Sequence, residues 1–174
     1  MALLNALLAL VAALLLIAFG GGQFLAADYR VERSTRVQAP PAKVYALIDS
    51  SKGWASWGVW YRRDPQMKVS ESGAAQGVGA VWTWTSESQG NGRMKLTGAE
   101  PERKIAYELA IDDFDPSQGE IELTPEAGGT HVRWTMHGRM SNTIGRWFAL
   151  FMDRLVGPDF ETGLANLKQL AEKQ

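Results

Sequence analysis

GTHVRWTMHGRMSNTIGRWFALFMDRLVGPDFETGLANLKQLAE, residues 129–172, changes its hydrophobic period partway along, and that change decides the fold class. Val132, Trp134 and Met136 alternate with His131, Arg133, Thr135 and His137. A two-residue period belongs to a strand with one buried and one wet face. After Gly138 the period lengthens to that of a helix. Phe148, Phe151, Met152 and Leu155 form one apolar stripe, and Phe160, Leu164, Leu167 and Ala171 form another. Ser141 or Asn142 can cap the first turn by accepting from a free backbone N–H. Gly157-Pro158 lies between the two stripes, which are out of phase by about one residue. An interior proline removes a helix hydrogen bond, so a kink or break is expected there in an element of about 30 residues.

Alternation recurs upstream. Ile121 and Leu123 share one parity, as do Ile105, Tyr107, Leu109 and Ile111, then Met94 and Leu96, then Ala80, Trp82 and Trp84. The breaks carry turn chemistry at Gly90-Asn91-Gly92, Asp115-Pro116-Ser117 and Gly128-Gly129. Tyr29–Val37 reads as a first strand, with Tyr29, Val31, Arg33, Thr35 and Val37 on one side. Ala39-Pro40-Pro41 ends it, and Val44, Leu47 and Ile48 mark a short helix. Trp54, Trp57 and Trp60, spaced by three, fit a second short helix or a 3₁₀ turn. Only one long helix is available to cover all these one-sided strands. The simplest α+β solution is a curved antiparallel sheet of about seven strands wrapped around the C-terminal helix.

The chain has 174 residues, of which 18 are Lys or Arg and 19 are Asp or Glu, yet the first 27 contain none of these. Residues 28–174 form one domain's worth of chain, about a quarter of it charged. A net charge of −1 gives no footprint for nucleic acid. Zero cysteine excludes disulfides, thiolate metal sites and a cysteine nucleophile. Seven Trp, six Phe and four Tyr argue against disorder. Residues 2–19, ALLNALLALVAALLLIAF, have Asn5 as their one polar member, which suits a short single-pass membrane anchor. Residues 1–27 are thus read as a transmembrane helix with a Gly20-Gly21-Gly22 linker. A cleaved signal peptide is the rival, but no Lys or Arg precedes the apolar run, and Leu25 is a poor third residue before a cut at Ala27. Arg30, Arg33, Arg36 and Lys43 follow the run, which favours a cytoplasmic body over a periplasmic one.

Several segments resemble the helix-grip superfamily (START domains, birch-pollen-allergen-like proteins and bacterial polyketide cyclase/dehydrase-like proteins, together SRPBCC). Ala39–Asp49 is similar to its "apa-x-x-V-(W/F)-x-x-(I/L)-x-D" segment, and Trp54–Trp60 to its "W-x-x-W-s-p-W", with Gly58-Val59 in place of Ser-Pro. Gly77-Val78-Gly79-Ala80 with Trp82, Gly129–Trp134 and Phe160–Lys168 resemble three further segments in the right order. The resemblance covers residues 29–172. It implies a cavity for a hydrophobic ligand between sheet and helix, and members with a short apolar anchor. It implies no particular reaction, because the superfamily has no universal catalytic motif.

The residues expected to line that cavity are Trp82, Trp84, Met94, Leu96, Tyr107, Leu109, Trp134 and Met136 from the strands, and Phe151 and Leu155 from the helix. Trp54, Trp57 and Trp60 are expected at its mouth, although they could instead cap the sheet. His131 and His137 fall on the wet parity, about 20 Å apart, too far to share a metal ion. Gly73, Gly77 and Gly79 precede a strand rather than a helix, so they read as a hairpin turn and not a phosphate loop. Asp112, Asp113 and Asp115 read as a solvated turn. No catalytic set, metal site or cofactor motif is found. Three functions remain open: a membrane-anchored binder of a small hydrophobic or lipid-like ligand, a polyketide cyclase/dehydratase-like enzyme, and a structural module whose interior is filled. The expected partners are that ligand and, through residues 2–19, the lipid bilayer. Nothing points to a protein partner.

Overall fold

A computed structural model describes residues 1–15 and 20–173. The element order is α1 (Ala2–Leu15), a 3₁₀ turn (Gly22–Phe24), β1 (Asp28–Val37), α2 (Pro41–Tyr45), α3 (Ser51–Trp57), α4 (Val59–Arg63), β2 (Lys68–Gly73), β3 (Ala80–Thr85), β4 (Gly92–Glu100), β5 (Lys104–Ile111), β6 (Ser117–Glu126), β7 (Gly129–Arg139) and α5 (Thr143–Glu172). All seven strands form one antiparallel sheet in the order β1-β7-β6-β5-β4-β3-β2. The meander from β2 to β7 turns at the expected glycines between β2 and β3, between β3 and β4 and between β6 and β7, and at Asp115-Pro116 between β5 and β6. The N-terminal strand then joins at the far edge beside β7.

The register aligns the apolar parities. Val31 faces Met136, Ile121 faces Trp134, Leu96 faces Tyr107, Met94 faces Leu109 and Trp82 faces Met94. One face is therefore continuous and apolar, while the other carries pairs such as Arg93–Glu108 and Arg133–Glu122. A bulge between Leu96 and Gly98 shifts the β4–β5 register, and bulges increase local twist. The edge strand β2 is exposed along its whole length. Its Lys68, Ser70, Glu71 and Ser72 suit an edge that must resist pairing with other chains.

Three short helices follow β1, not two. Gly58 leaves the helical region at φ −60°, ψ 133°, so Trp60 sits on α4 rather than continuing α3. Asn142 is the cap of α5, its Oδ1 accepting from the Gly145 N–H at 2.6 Å. Replacing Asn142 by Ala should cost about 1 kcal/mol. In a domain of this size that lowers Tm by roughly 2–4 °C in a thermal melt.

Helix α5 runs from Thr143 to Glu172 through Pro158, so of the expected kink or break, no break occurs there. Pro158 and Arg154 are both exposed, so water can satisfy the carbonyl that the proline leaves unpaired. The phase offset between the stripes has another cause. Phe160, Leu164, Leu167 and Ala171 are buried against the sheet, whereas the first half of the helix stands further out, with Phe148, Phe151 and Leu155 half-exposed. The junction is clamped from β1. The Arg33 guanidinium lies over Gly157, where a Cβ would collide with it. It donates to Asp153 at 2.7 Å and to Glu161 at 2.6 Å, one helical turn to either side. A cation on the core-facing parity of β1 thus serves to hold the helix.

The described part of the apolar N-terminus, α1, has 14 residues. At 1.5 Å per residue that is about 21 Å, short of a hydrocarbon core of about 30 Å. Among the described residues no helix is long and apolar enough to cross a membrane. Residues 16–19 of the expected span lie outside the described residues.

Candidate functional site

The sheet grips only the second half of α5. Under the first half lies a cavity of about 260 Å³. Met94, Tyr107, Leu109, Ile111, Trp134 and Met136 form its sheet wall, and Phe148, Met152, Leu155, Val156 and Phe160 its helix wall. A second chamber of about 60 Å³ lies beside it, bounded by Trp54, Tyr61, Met67, Trp82, Trp84 and Gln89. Trp60, Met94, Leu109 and Ile111 border both, so they act as the partition.

Six of the residues expected on the wall, Met94, Tyr107, Leu109, Trp134, Met136 and Leu155, border the large chamber, and Trp82 and Trp84 border the small one. Leu96 does not. It is fully buried in the core beside its partner Tyr107, two register positions along from the Met94–Leu109 pair. Phe151 does not either. It shares a half-exposed stripe of the helix with Phe148 and Leu155, but only those two reach the cavity border.

The tryptophan cluster is not a mouth. Trp54 and Trp57 are buried, their indole N–H groups donating to Ile48 O at 2.8 Å and Leu47 O at 2.7 Å. Both rings pack edge-on to Trp134, at 5.6 Å and 5.2 Å between centroids. They form a floor, and only Trp60 reaches the large chamber. The exposed side chains on the cavity border are Phe114, Phe148 and Leu155, which places the opening between the β5–β6 loop and α5.

On the polar side of the cavity the sequence pattern singled out Tyr107 and placed Tyr29 on the inward parity of β1, but it did not find Ser117 or Gly119. Tyr29 and Ser117 share a 2.6 Å hydrogen bond between hydroxyls. Trp134 Nε1 donates to the Tyr107 hydroxyl at 2.7 Å. That leaves the Tyr107 hydrogen itself without an acceptor among the described residues. Gly119 and Gly138 make room for the tyrosines: a Cβ at Gly119 would overlap the Tyr107 ring, and one at Gly138 the Tyr29 ring. Ser117 and Gly119 do follow the parity of Ile121 and Leu123, and that parity is the signal that could have found them. Burial pushes the Tyr107 phenol well above its ordinary value and the Tyr61 phenol up to about 12. Tyr29 is raised by burial and then by the Asp115 charge. All three are neutral donors at physiological pH.

Two carboxylates border the cavity, and both are committed. Arg63 holds Asp159 with both guanidinium nitrogens, Nη1 at 2.9 Å. Asp115 accepts the Ser141 backbone N–H at 2.6 Å, and that bond holds its pKa below the usual carboxylate value. A lowered folded-state pKa contributes stability above the unfolded value of about 4, lost as pH falls through the folded value. Acidification should therefore free Ser141. Its amide exchange, corrected for intrinsic rate, should rise below about pH 4, and Asp115→Asn should flatten that pH dependence.

The other candidate residues lie elsewhere. His137 is exposed and His131 half-buried on the outer face, and Glu87 is exposed in the β3–β4 loop. Gly73, Gly77 and Gly79 all have positive φ in the β2–β3 turn. Asp112 accepts from the Asn91 N–H at 2.9 Å, so with Asp115 it braces loops. Among the described residues no three His, Asp or Glu side chains group as metal ligands would.

The fold recurs in proteins of distant sequence. Protein CV1439 from Chromobacterium violaceum superposes with a TM-score of 0.63 at 16% identity, over 84% of this chain and 99% of that one. The Aha1 dimer from Colwellia psychrerythraea gives 0.61 at 20%, over 83% and 96%. The di-domain ARO/CYC BexL from the BE-7585A biosynthetic pathway gives 0.63 at 15%, over 85% of this chain and 51% of that one. At such identities these likenesses show the fold alone. No curated protein matches the sequence. The sequence profile described as polyketide cyclase / dehydrase and lipid transport matches residues 28–172. The chain belongs to the polyketide cyclase / dehydrase and lipid transport family, whose helix-grip architecture its seven-stranded sheet and long C-terminal helix reproduce.

Proposed function

We propose that the protein binds a small, mostly apolar ligand carrying one hydrogen-bonding oxygen, and that residues 2–19 anchor it to a membrane. The observation that carries the first part is an apolar cavity bordered by the Tyr107 hydroxyl, whose hydrogen has no acceptor among the described residues. At a water's share of roughly 30 Å³ per non-hydrogen atom, the two chambers together enclose about eleven such atoms, so the remainder of a longer chain such as farnesol or oleic acid would run out through the opening between the β5–β6 loop and α5. The rival reading of a cyclase or dehydratase needs an acid or base that reaches the substrate. The carboxylates at the rim are tied to Arg63 and Ser141, the histidines point away, and Tyr107 is too weak an acid to do more than donate a hydrogen bond. A filled structural module is disfavoured by the cavity itself.

The test is titration of the full chain in detergent with oleic acid and farnesol, followed by tryptophan emission. Trp134 and Trp60 border the cavity, so a saturable shift is expected, and no shift across both probes would count against the proposal. Tyr107→Phe should weaken farnesol about fivefold, the worth of one hydrogen bond, and leave a hydrocarbon of the same length unaffected. Equal loss for both would remove Tyr107 from recognition.

The anchor is supported by the uncharged first 27 residues and by Leu3, Leu4, Leu7, Leu8, Leu10 and Leu14, all exposed on α1. Alkaline extraction should leave the full chain in the membrane and release a chain lacking residues 2–19. The basic residues after the segment favour a cytoplasmic body. A reporter fused after Gln174 tests that side.

A further inference from the structure

We infer that the exposed apolar rim of the cavity, on α5 and the β5–β6 loop, lies against the lipid bilayer, so that the cavity opens toward lipid rather than water. This rests on the proposal that residues 2–19 anchor the chain.

The first half of α5 carries Ile144, Phe148, Phe151 and Leu155 at i, i+4, i+7 and i+11, one stripe of the helix, each 47–56% exposed. Phe114, on the loop after β5, is 51% exposed and borders the same opening as Phe148 and Leu155. Asp115 beside it is tied to Ser141 at the start of α5, which fixes the loop next to the helix. An exposed helix face in water is normally polar, and a contiguous apolar patch marks an interaction surface. The cavity uses Phe148 and Leu155, but Ile144 and Phe151 do not border it, so the cavity alone does not explain the stripe.

The attachment of the N-terminal segment identifies what covers this stripe. Gly22 is buried against Thr143 and the Trp147 indole, with no room for a Cβ. Arg146 Nη1 donates to Gln23 O at 2.8 Å, and Met140 N donates to Ala27 O at 2.9 Å. The chain between the apolar segment and β1 is thus pinned to the first turn of α5. Phe24, in the pinned turn, is 92% exposed. The anchor therefore leaves the body at the end of the molecule that carries the apolar stripe, Phe114 and the cavity mouth. A bilayer that receives residues 2–19 lies beside that end, and half-exposed Phe, Ile and Leu are the side chains that enter an interface about 5–10 Å deep.

The chain has no cysteine, so single labels are unambiguous. Phe114→Cys and Phe151→Cys, with Ser72→Cys on β2 and Glu122→Cys on the outer face as controls, would each carry an environment-sensitive fluorophore. The full-length protein is placed in phosphatidylcholine nanodiscs with and without acyl-chain nitroxide lipid, after circular dichroism confirms the fold of each variant. Blue-shifted emission at 114 and 151, with about twofold or greater quenching by nitroxide, and solvent-like unquenched controls is the result expected. Solvent-like labels at 114 and 151 on protein that stays with the discs would overturn the inference and leave the anchor standing. Protein that fails to enter discs at all would remove both. Blue-shifted labels that nitroxide does not quench would mean that α1 or a second copy covers the stripe, and would overturn it too.

Discussion

Leu109→Arg should weaken binding of oleic acid and farnesol by at least about tenfold while the protein still unfolds cooperatively. Leu109 borders both chambers, facing Met94 on β4 and Ser117 on β6. Unlike Leu96 and Ile105 it is only partly buried, so its replacement does not cut into packed core. An arginine there fills the partition with a long side chain and brings a charge into a site built for apolar surface. The fold survives because the cavity is open to solvent beside Phe114, Phe148 and Leu155, so the long side chain can carry its guanidinium toward water. The ligand loses both its volume and its apolar contact, and tenfold corresponds to only about 1.4 kcal/mol, less than the burial of one leucine. Leu109→Ala makes the complementary case, since it enlarges the cavity and should retain binding. Tryptophan titration beside a urea melt separates the two effects. Unchanged affinity in folded Leu109→Arg would place the ligand outside the cavity.

The fold was legible because its signals are periodic. Each strand announced its buried parity, and the switch of period after Gly138 marked the helix that the sheet would hold. The misreadings arose where a residue's surroundings depend on how far apart two elements pack. Leu96 and Met94 share a parity, but only Met94 borders the cavity, and alternation does not encode where a cavity ends. Phe151 belongs to an apolar stripe that faces outward, so apolar character could not separate cavity wall from outer rim. Trp57 has the spacing of a pocket-mouth residue, yet it finds a backbone acceptor in the turn after α2 and sinks into the core. Pro158 carried a strong breaking signal that local exposure made tolerable. Arg33 is the converse case: its charge marked it as misplaced on an inward parity, and its two carboxylates come from a helix 120 and 128 residues later in the sequence. Tyr107 was legible as a phenol on a buried parity, but Ser117 was not, because a small hydroxyl at a strand start reads as part of the turn until its partner Tyr29 across the strands is known.

Trp134→Ala should be the most damaging single truncation, costing about 4 kcal/mol, a large share of a typical domain stability of about 5–15 kcal/mol. The Trp134 ring stacks on Phe160 of α5 at 3.7 Å and 8°, and meets Trp54, Trp57 and Trp60 edge-on. It therefore joins β7, the strand beside the β1 edge, to both the long helix and the short-helix floor. Its N–H also satisfies the Tyr107 hydroxyl from β5. Truncation leaves a void open to an existing cavity, which the rigid rings around it cannot collapse to fill. Trp134→Phe divides the effect. A phenyl ring keeps the stack on Phe160 but deletes the donor, so the smaller loss of about 1–2 kcal/mol reports the buried hydrogen bond and the missing ring edge. Urea midpoints at constant m-value give both numbers. If Trp134→Ala moved the midpoint by less than Trp134→Phe, the aromatic cluster would not be what fixes α5 over the sheet. The cavity's shape would then be set by the Arg33 clamp and the C-terminal half of the helix instead.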